Sequence, residues 1–225
     1  MSEQVFWPTV AALIYALYLA TAFVGRTLLQ RRATGDGGFR GISGRVGSAE
    51  WLAGVGFIVA MVAGVAGPMA ALGGLDPIAV LEHRTVFVAG AVVAALGVVA
   101  TLVVQGHMGE SWRIGVDESE RTALVTTGAF AIVRNPIFTA MAFTGAGLTA
   151  MTPNLVSLTG FALLLVALQL QVRVVEEPYL FSVHCAHEGS YAGYAARVGR
   201  FIPGVGRIRP GADASAGPPE AAATN

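Results

Sequence analysis

Apolar residues fall into five runs separated by polar connections. The first runs from about Trp7 to Leu29, the second from about Trp51 to Gly73 and the third from about Thr85 to Gln105. The fourth, from about Pro136 to Thr152, is shorter, and the fifth runs from about Leu155 to Val175. A helix needs ~20 apolar residues to cross ~30 Å of hydrocarbon, so these runs predict membrane-spanning helices. Thr152-Pro153-Asn154 is a turn signal, which makes spans four and five a tight helical hairpin. Trp7 and Trp51 sit at span ends, where amphipathic rings favour the interface. The predicted fold class is all-α: an integral membrane helical bundle of about five transmembrane helices with a cytosolic C-terminal helical segment.

Composition agrees. Of 225 residues, 54% are hydrophobic and 12% charged, against about 25% charged in an ordinary soluble domain. Formal net charge is zero, so no global basic field draws nucleic acid. One cysteine, Cys185, excludes an internal disulfide and a Cys-cluster metal site. Met1 to Trp7 carries Glu3 and no basic residue, so it lacks the n-region of a signal peptide and reads as the start of a retained span.

The charge that is present is segregated. All fourteen basic residues are arginine. Arg84 falls in the second connection, beside Asp76 and Glu82, and the other thirteen fall in or beside the first and third connections and the C-terminal segment. By the positive-inside rule those thirteen are cytoplasmic, the N-terminus is outside and the C-terminus inside. The chain divides into transmembrane helices over 1–105, a catalytic part over 106–209, and a tail over 210–225 whose Ala/Gly/Pro-rich composition predicts disorder.

Three segments on the arginine-rich side carry candidate chemistry. Arg134-Asn135-Pro136 opens span four: Pro suits the first turn and Asn suits the N-cap. The motif serves as a simple helix start, or its free N–H groups hold an anion. Glu176-Glu177 ends span five; the pair is either a solvated helix exit or a seat for a cationic group. Tyr191, Tyr194 and Val198 share one helix face, with Arg197 beside them and Pro203 as terminator. That helix lies on the membrane surface, or folds back over a site. His184, Cys185 and His187 match no strong zinc spacing, so no metal is expected.

Together, these segments resemble the isoprenylcysteine carboxyl methyltransferase family, which is related to the phospholipid N-methyltransferases. The resemblance covers roughly Gly106 to Pro203. One block is Leu124-Val125-Thr126-Thr127-Gly128-Ala129-Phe130 followed by Val133-Arg134-Asn135-Pro136-Ile137-Phe138. The other is Glu176-Glu177-Pro178-Tyr179-Leu180, Tyr191-Ala192-Gly193-Tyr194 and Val198-Gly199-Arg200-Phe201-Ile202-Pro203. Ser111-Trp112-Arg113-Ile114-Gly115 is similar to a bacterial branch of the family. Asn135 stands where the family often has His, Phe138 where it has Tyr, Ala129-Phe130 where it has Pro-Tyr, and Gly199 where it has Pro.

The resemblance implies S-adenosylmethionine as cofactor, methyl transfer as reaction and a lipophilic acceptor from the bilayer. It implies a cofactor site of Arg134, Asn135, Pro136, Phe138, Glu176, Glu177, Tyr191 and Tyr194. Glu177 or Glu176 would take the amino group, Arg134 and the helix amides the carboxylate, and the tyrosines the adenine or sulfonium. Arg197 or Arg200 would orient an acceptor carboxylate. Membrane lipids are the expected surroundings, with no protein or nucleic-acid partner. Two alternatives stand beside it: a sterol-type membrane reductase using NADPH, and a cofactor-binding membrane protein without turnover.

Overall fold

The computed structural model describes residues 2–38, 41–109, 124–184 and 190–208. Ser111–Gly115, Arg121, Cys185, His187 and the 210–225 tail lie outside the described residues. The described chain is all-helical, with no strand. Four helices are long and apolar enough to cross a membrane: α1 (Glu3–Thr34), α2 (Ala49–Leu72), α3 (Arg84–Met108) and α5 (Leu155–Val183). The shorter apolar α4 (Pro136–Met151) lies between α3 and α5, and α6 (Tyr191–Arg197) follows. The predicted runs therefore map one to one onto helices, but α1 and α5 continue beyond their apolar stretches. Each contains a π turn, Ala20–Gly25 within the apolar run of α1 and Gln171–Glu176 where the apolar run of α5 ends.

Neighbouring helices approach closely because glycine lines the seams. On α3, a Cβ at Gly97 would sit 2.6 Å from the Thr144 amide nitrogen. On α4, a Cβ at Gly147 would sit 2.3 Å from the Ala94 amide nitrogen. Small residues at such contacts let dispersion act between helices where lipid offers no hydrophobic drive. The second close pair is α2 with α5, through Gly67 against Ser157 and Gly160 against Ala63. The turn after α4 is fixed by Asn154, whose Oδ1 accepts from the Ser157 amide at 2.9 Å. Its Nδ2 donates to the Gly67 carbonyl at 3.0 Å, which also locks the hairpin to α2. This N-cap supplies one of the α5 amides that have no intrahelical acceptor.

The helix order segregates charge. Glu3 and Arg84 meet at one end, 3.9 Å apart. Toward the other end lie Arg26 and Arg173, in the last third of α1 and of α5, with Arg134 just before α4 and Arg197 and Arg200 at and beyond the end of α6. The predicted fifth span runs to about Val175, and Glu176-Glu177 would oppose a helix dipole if the helix stopped there. The helix instead runs on to Val183, so neither carboxylate faces a C-terminal dipole end. The last predicted helix also differs: α6 ends at Arg197, not near Pro203. Beyond it the backbone turns back so that Gly199 bridges Val133 in parallel.

Candidate functional site

The arginine-rich end of the α4–α5 hairpin is closed by the segment 190–208, and one buried ion cluster joins the parts. Arg134 is 5% exposed and Glu177 6%, so each charge needs a partner. Arg134 donates to Glu177 Oε1 at 2.6 Å, to the carbonyls of Ala195 and Gly206 at 3.1 Å and to that of Val198 at 2.5 Å. Arg200 grips the same carboxylate from the other side, Nε to Oε1 and NH2 to Oε2, both at 2.8 Å. The fork geometry of guanidinium suits this bidentate pairing.

Chain geometry explains why the three meet. Val172, Val175 and Tyr179 continue the buried stripe of α5 at helical spacing. Glu177 lies two residues beyond Val175, off that stripe, so the returning 190–208 segment is what buries it. That segment is held by its own backbone: the Arg134 amide donates to the Gly199 carbonyl at 2.8 Å and the Asn135 amide to the Arg200 carbonyl at 3.1 Å. Thr139 adds a hydroxyl to the Phe201 carbonyl at 2.9 Å.

Gly199 is required in this turn. A Cβ there would lie 2.1 Å from the Ile202 carbonyl oxygen, so the proline usual in the resembling family does not fit this backbone. Asn135 also departs from expectation. Its side chain makes no cap hydrogen bond to α4; its amide donates to the Arg200 carbonyl at 3.1 Å. The fold-back competes for it and wins.

The remaining predicted residues separate into two groups. Tyr191 and Tyr194 are buried in the cap core with Ala195, packed by Leu180, Phe181 and Val198. Tyr191 meets Phe181 edge-on at 4.9 Å between centroids. The Tyr194 hydroxyl donates to the Phe130 carbonyl at 2.5 Å, tying the cap to the segment before α4. Pro136 is buried at the first position of α4, and Phe138 packs against the transmembrane core. Glu176 is half-buried and Arg197 exposed at the rim.

Among the described residues no cluster of His, Cys, Asp and Glu suits a metal. Sequence reasoning missed Gln105, whose Nε2 donates to the Ala22 carbonyl at 2.9 Å. Ala22 lies in the π turn of α1, and such turns release carbonyls and cluster at functional sites.

Polar capacity is left over for a ligand. Glu177 accepts three arginine hydrogen bonds where a carboxylate has about four acceptor positions. The Arg134 Nε–H is buried and meets no acceptor in hydrogen-bonding geometry, with the Tyr191 hydroxyl beside the guanidinium. These donors and acceptors fit a zwitterion of amino-acid type. The two tyrosine rings are enclosed in the cap, so an aromatic ligand face would meet them only after the cap moves.

Residues 85–184 match the family model for phospholipid methyltransferases. No curated protein and no solved structure matches the chain. The matched stretch runs from α3 to the end of α5 and includes Arg134, Asn135, Glu176 and Glu177. It supports a membrane methyltransferase. It stops before the cap residues Tyr191 to Pro203, so the second half of the ion cluster comes from structure alone.

Removing Arg134 leaves Glu177 buried with one arginine partner and the Val198 and Gly206 carbonyls without that donor, while the Ala195 carbonyl keeps the Ile208 amide. Breaking a buried pair from one side costs about 3–5 kcal/mol. Arg134→Met is expected to release the cap, read as new protease cleavage within 190–208 while the transmembrane helices stay intact by circular dichroism. Retained protection would show that the cap is held by its apolar contacts.

Burial pushes the Tyr194 hydroxyl up to about 12, with Arg134 opposing. Burial also raises Tyr191, Glu177 adds to that rise and Arg134 opposes it. An unfolded tyrosine ionises near pH ~10. The native state therefore holds protons that the unfolded state loses, so stability is full below about pH 10 and falls as pH rises toward 12. Tyr194→Phe is expected to flatten part of this fall in denaturant titrations; an unchanged slope assigns it to other groups.

Proposed function

We propose that the protein is an integral membrane methyltransferase that uses S-adenosylmethionine and acts on a lipophilic acceptor. The observation that supports it most is the ion cluster. It unites Arg134 and Glu177, from the two motif blocks, at one end of the hairpin inside the matched family region. The cofactor would supply an electrophilic methyl group on a sulfonium. The free acceptor position of Glu177, or Glu176 at the rim, would take its ammonium. Arg134 Nε would take its carboxylate, and Asn135 and Phe138 would border it. Pro136 presets the start of α4 beneath it, and Tyr191 and Tyr194 would wall it off from water. Arg200 holds Glu177 in place, and Arg197 at the rim would steer an anionic acceptor.

The residues act by binding, orienting and excluding water. Methyl transfer between a sulfonium and a nucleophile disperses charge, so a dry, ordered site lowers the barrier. Asn135 does not titrate, so the site works by positioning there. The active end faces the cytosol, because it carries the arginines.

Calorimetric titration of the detergent-purified chain is expected to show S-adenosylmethionine and its demethylated product binding, and NADPH not binding. Glu177→Gln is expected to weaken that binding at least tenfold and, because it leaves the buried Arg134 charge without its counter-ion, to loosen the cap while the transmembrane helices stay intact by circular dichroism. Binding of NADPH alone would move the protein to the reductase reading.

Orientation is tested separately. In a Cys185→Ser background, Arg84→Cys is expected to react with a membrane-impermeant maleimide from outside intact cells. Labelling from the cytosolic side alone would invert the topology.

A further inference from the structure

Most of the surface that the spans turn toward lipid is apolar. The exposed residues over 13–24 of α1 and 88–103 of α3 are Leu, Ala and Val, and those over 52–69 of α2 are aliphatic or Met. On α4 the exposed residue is Phe143. The outward face of α5 differs. Leu155, Thr159, Ala162, Val166, Gln169 and Arg173 are all exposed, at alternating spacings of four and three residues. The opposite face of α5 is committed to the bundle, with Leu164, Ala167 and Leu168 buried and Gly160 against Ala63 of α2.

Gln169 is the residue that needs an explanation. Asn154 caps α5, and Gln169 follows about 22 Å along it at 1.5 Å per residue, within the ~30 Å of hydrocarbon. A polar group at that depth is costly and ordinarily faces the interior of a bundle. A threonine hydroxyl such as that of Thr159 can turn back to the carbonyl four residues earlier. A glutamine amide has more to satisfy. Gln169 Oε1 accepts from Arg173 Nε at 3.0 Å, and its two N–H donors are left for a group outside the chain.

The rest of the face describes that group. A spacing of four and three is the period of a helix seam in a left-handed coil. Thr159 and Ala162 are small, which lets two backbones approach closely in lipid. A primary amide is donor and acceptor at once, so a second Gln169 is its natural complement. A two-fold axis along the membrane normal sets the same residues of two parallel α5 helices against each other. The Gln169 carbonyl oxygen has two lone pairs: one meets Arg173, and the other is open to the NH2 of the partner's Gln169. Arg173 stands one turn nearer the rim, where its stem carries the charge out to the headgroups.

We infer that the outward face of α5 is a homodimer interface, packed in parallel on the same face of a second copy and pinned by Gln169 bonded to the partner's Gln169. The face lies apart from the Arg134–Glu177–Arg200 cluster, and the inference does not depend on the methyltransferase reading.

Two measurements on the full chain test it. In a Cys185→Ser background, Val166→Cys on this face and Val99→Cys on α3 are matched in exposure, at 54% and 57%. On oxidation in the membranes of expressing cells, Val166→Cys is expected to form a disulfide-linked dimer and Val99→Cys to stay monomeric. Single-molecule photobleaching in phosphatidylcholine vesicles reads the monomer–dimer equilibrium. Gln169→Leu is expected to weaken dimerisation at least fivefold, and Gln169→Asn to recover part of the loss. Monomers at every protein density would overturn the inference. Cross-linking through Val99→Cys in place of Val166→Cys would overturn it too, by moving the interface to another face. An unchanged equilibrium in Gln169→Leu would also overturn it and leave Gln169 to the lipid headgroups.

Discussion

The interaction on which the functional end depends is the burial of the Arg134 guanidinium. It never deprotonates in a protein, so its charge must be met where it stands. Four of its donors are met by Glu177 and by three carbonyls spread over Ala195 to Gly206. The segment after α6 is thereby drawn across the start of α4. Arg200, carried in by that same return, meets Glu177 from the far side. Two guanidiniums close on one buried carboxylate, with Glu176 at the rim, and the site is water-poor. A pair of this kind does not by itself stabilise a fold, because desolvation offsets attraction. Its effect here is specificity of arrangement: the cap fits in the register that meets both terminal nitrogens of Arg134 and leaves its Nε–H unmet.

That register is transmitted to the bundle by close backbone contact. Gly97 and Gly147 bring α3 and α4 together without intervening side chains, and Asn154 bonds the hairpin turn to α2. The hairpin is a rigid element with its turn fixed at one end and its ion cluster at the other. A group bound at Arg134 is thus referenced to the whole membrane part. Positioning to a fraction of an ångström is what the proposed methyl transfer would ask of the protein.

Much of the membrane architecture was legible because hydropathy acts over twenty residues at a time. Each apolar run became a helix, and Arg26, Arg134, Arg173, Arg197 and Arg200 fell toward one end, away from Arg84. What hydropathy does not carry is helix continuation. Glu176-Glu177 reads as an exit because the apolar run stops, yet the α5 backbone continues through a π turn. The ion cluster was only half legible. Arg134 and Glu177 were marked by motif, but their pairing across 43 residues depends on a fold-back that no local periodicity encodes. Arg200 was read as a substrate contact, and its bond to Glu177 appears only once the chain has turned at Gly199. Asn135 followed the best local rule for an N-cap, and a tertiary partner overrode it. Gln105 left no signal, since a lone glutamine at the end of an apolar run looks like the edge of a span.

The two π turns link these outcomes. Each lies at the arginine-rich end of a long helix, and each widens the backbone ladder by one residue. In α1 the Ala22 carbonyl is met by Gln105 from α3. In α5 the turn ends at Glu176, yet Val172, Val175 and Tyr179 keep one buried stripe across it, and Glu177 sits off that stripe, under the cap. One continuous helix thereby buries apolar side chains in the bundle and a carboxylate in the cap. Polar groups at the rim of the apolar bundle are thus placed with no break in the helices themselves.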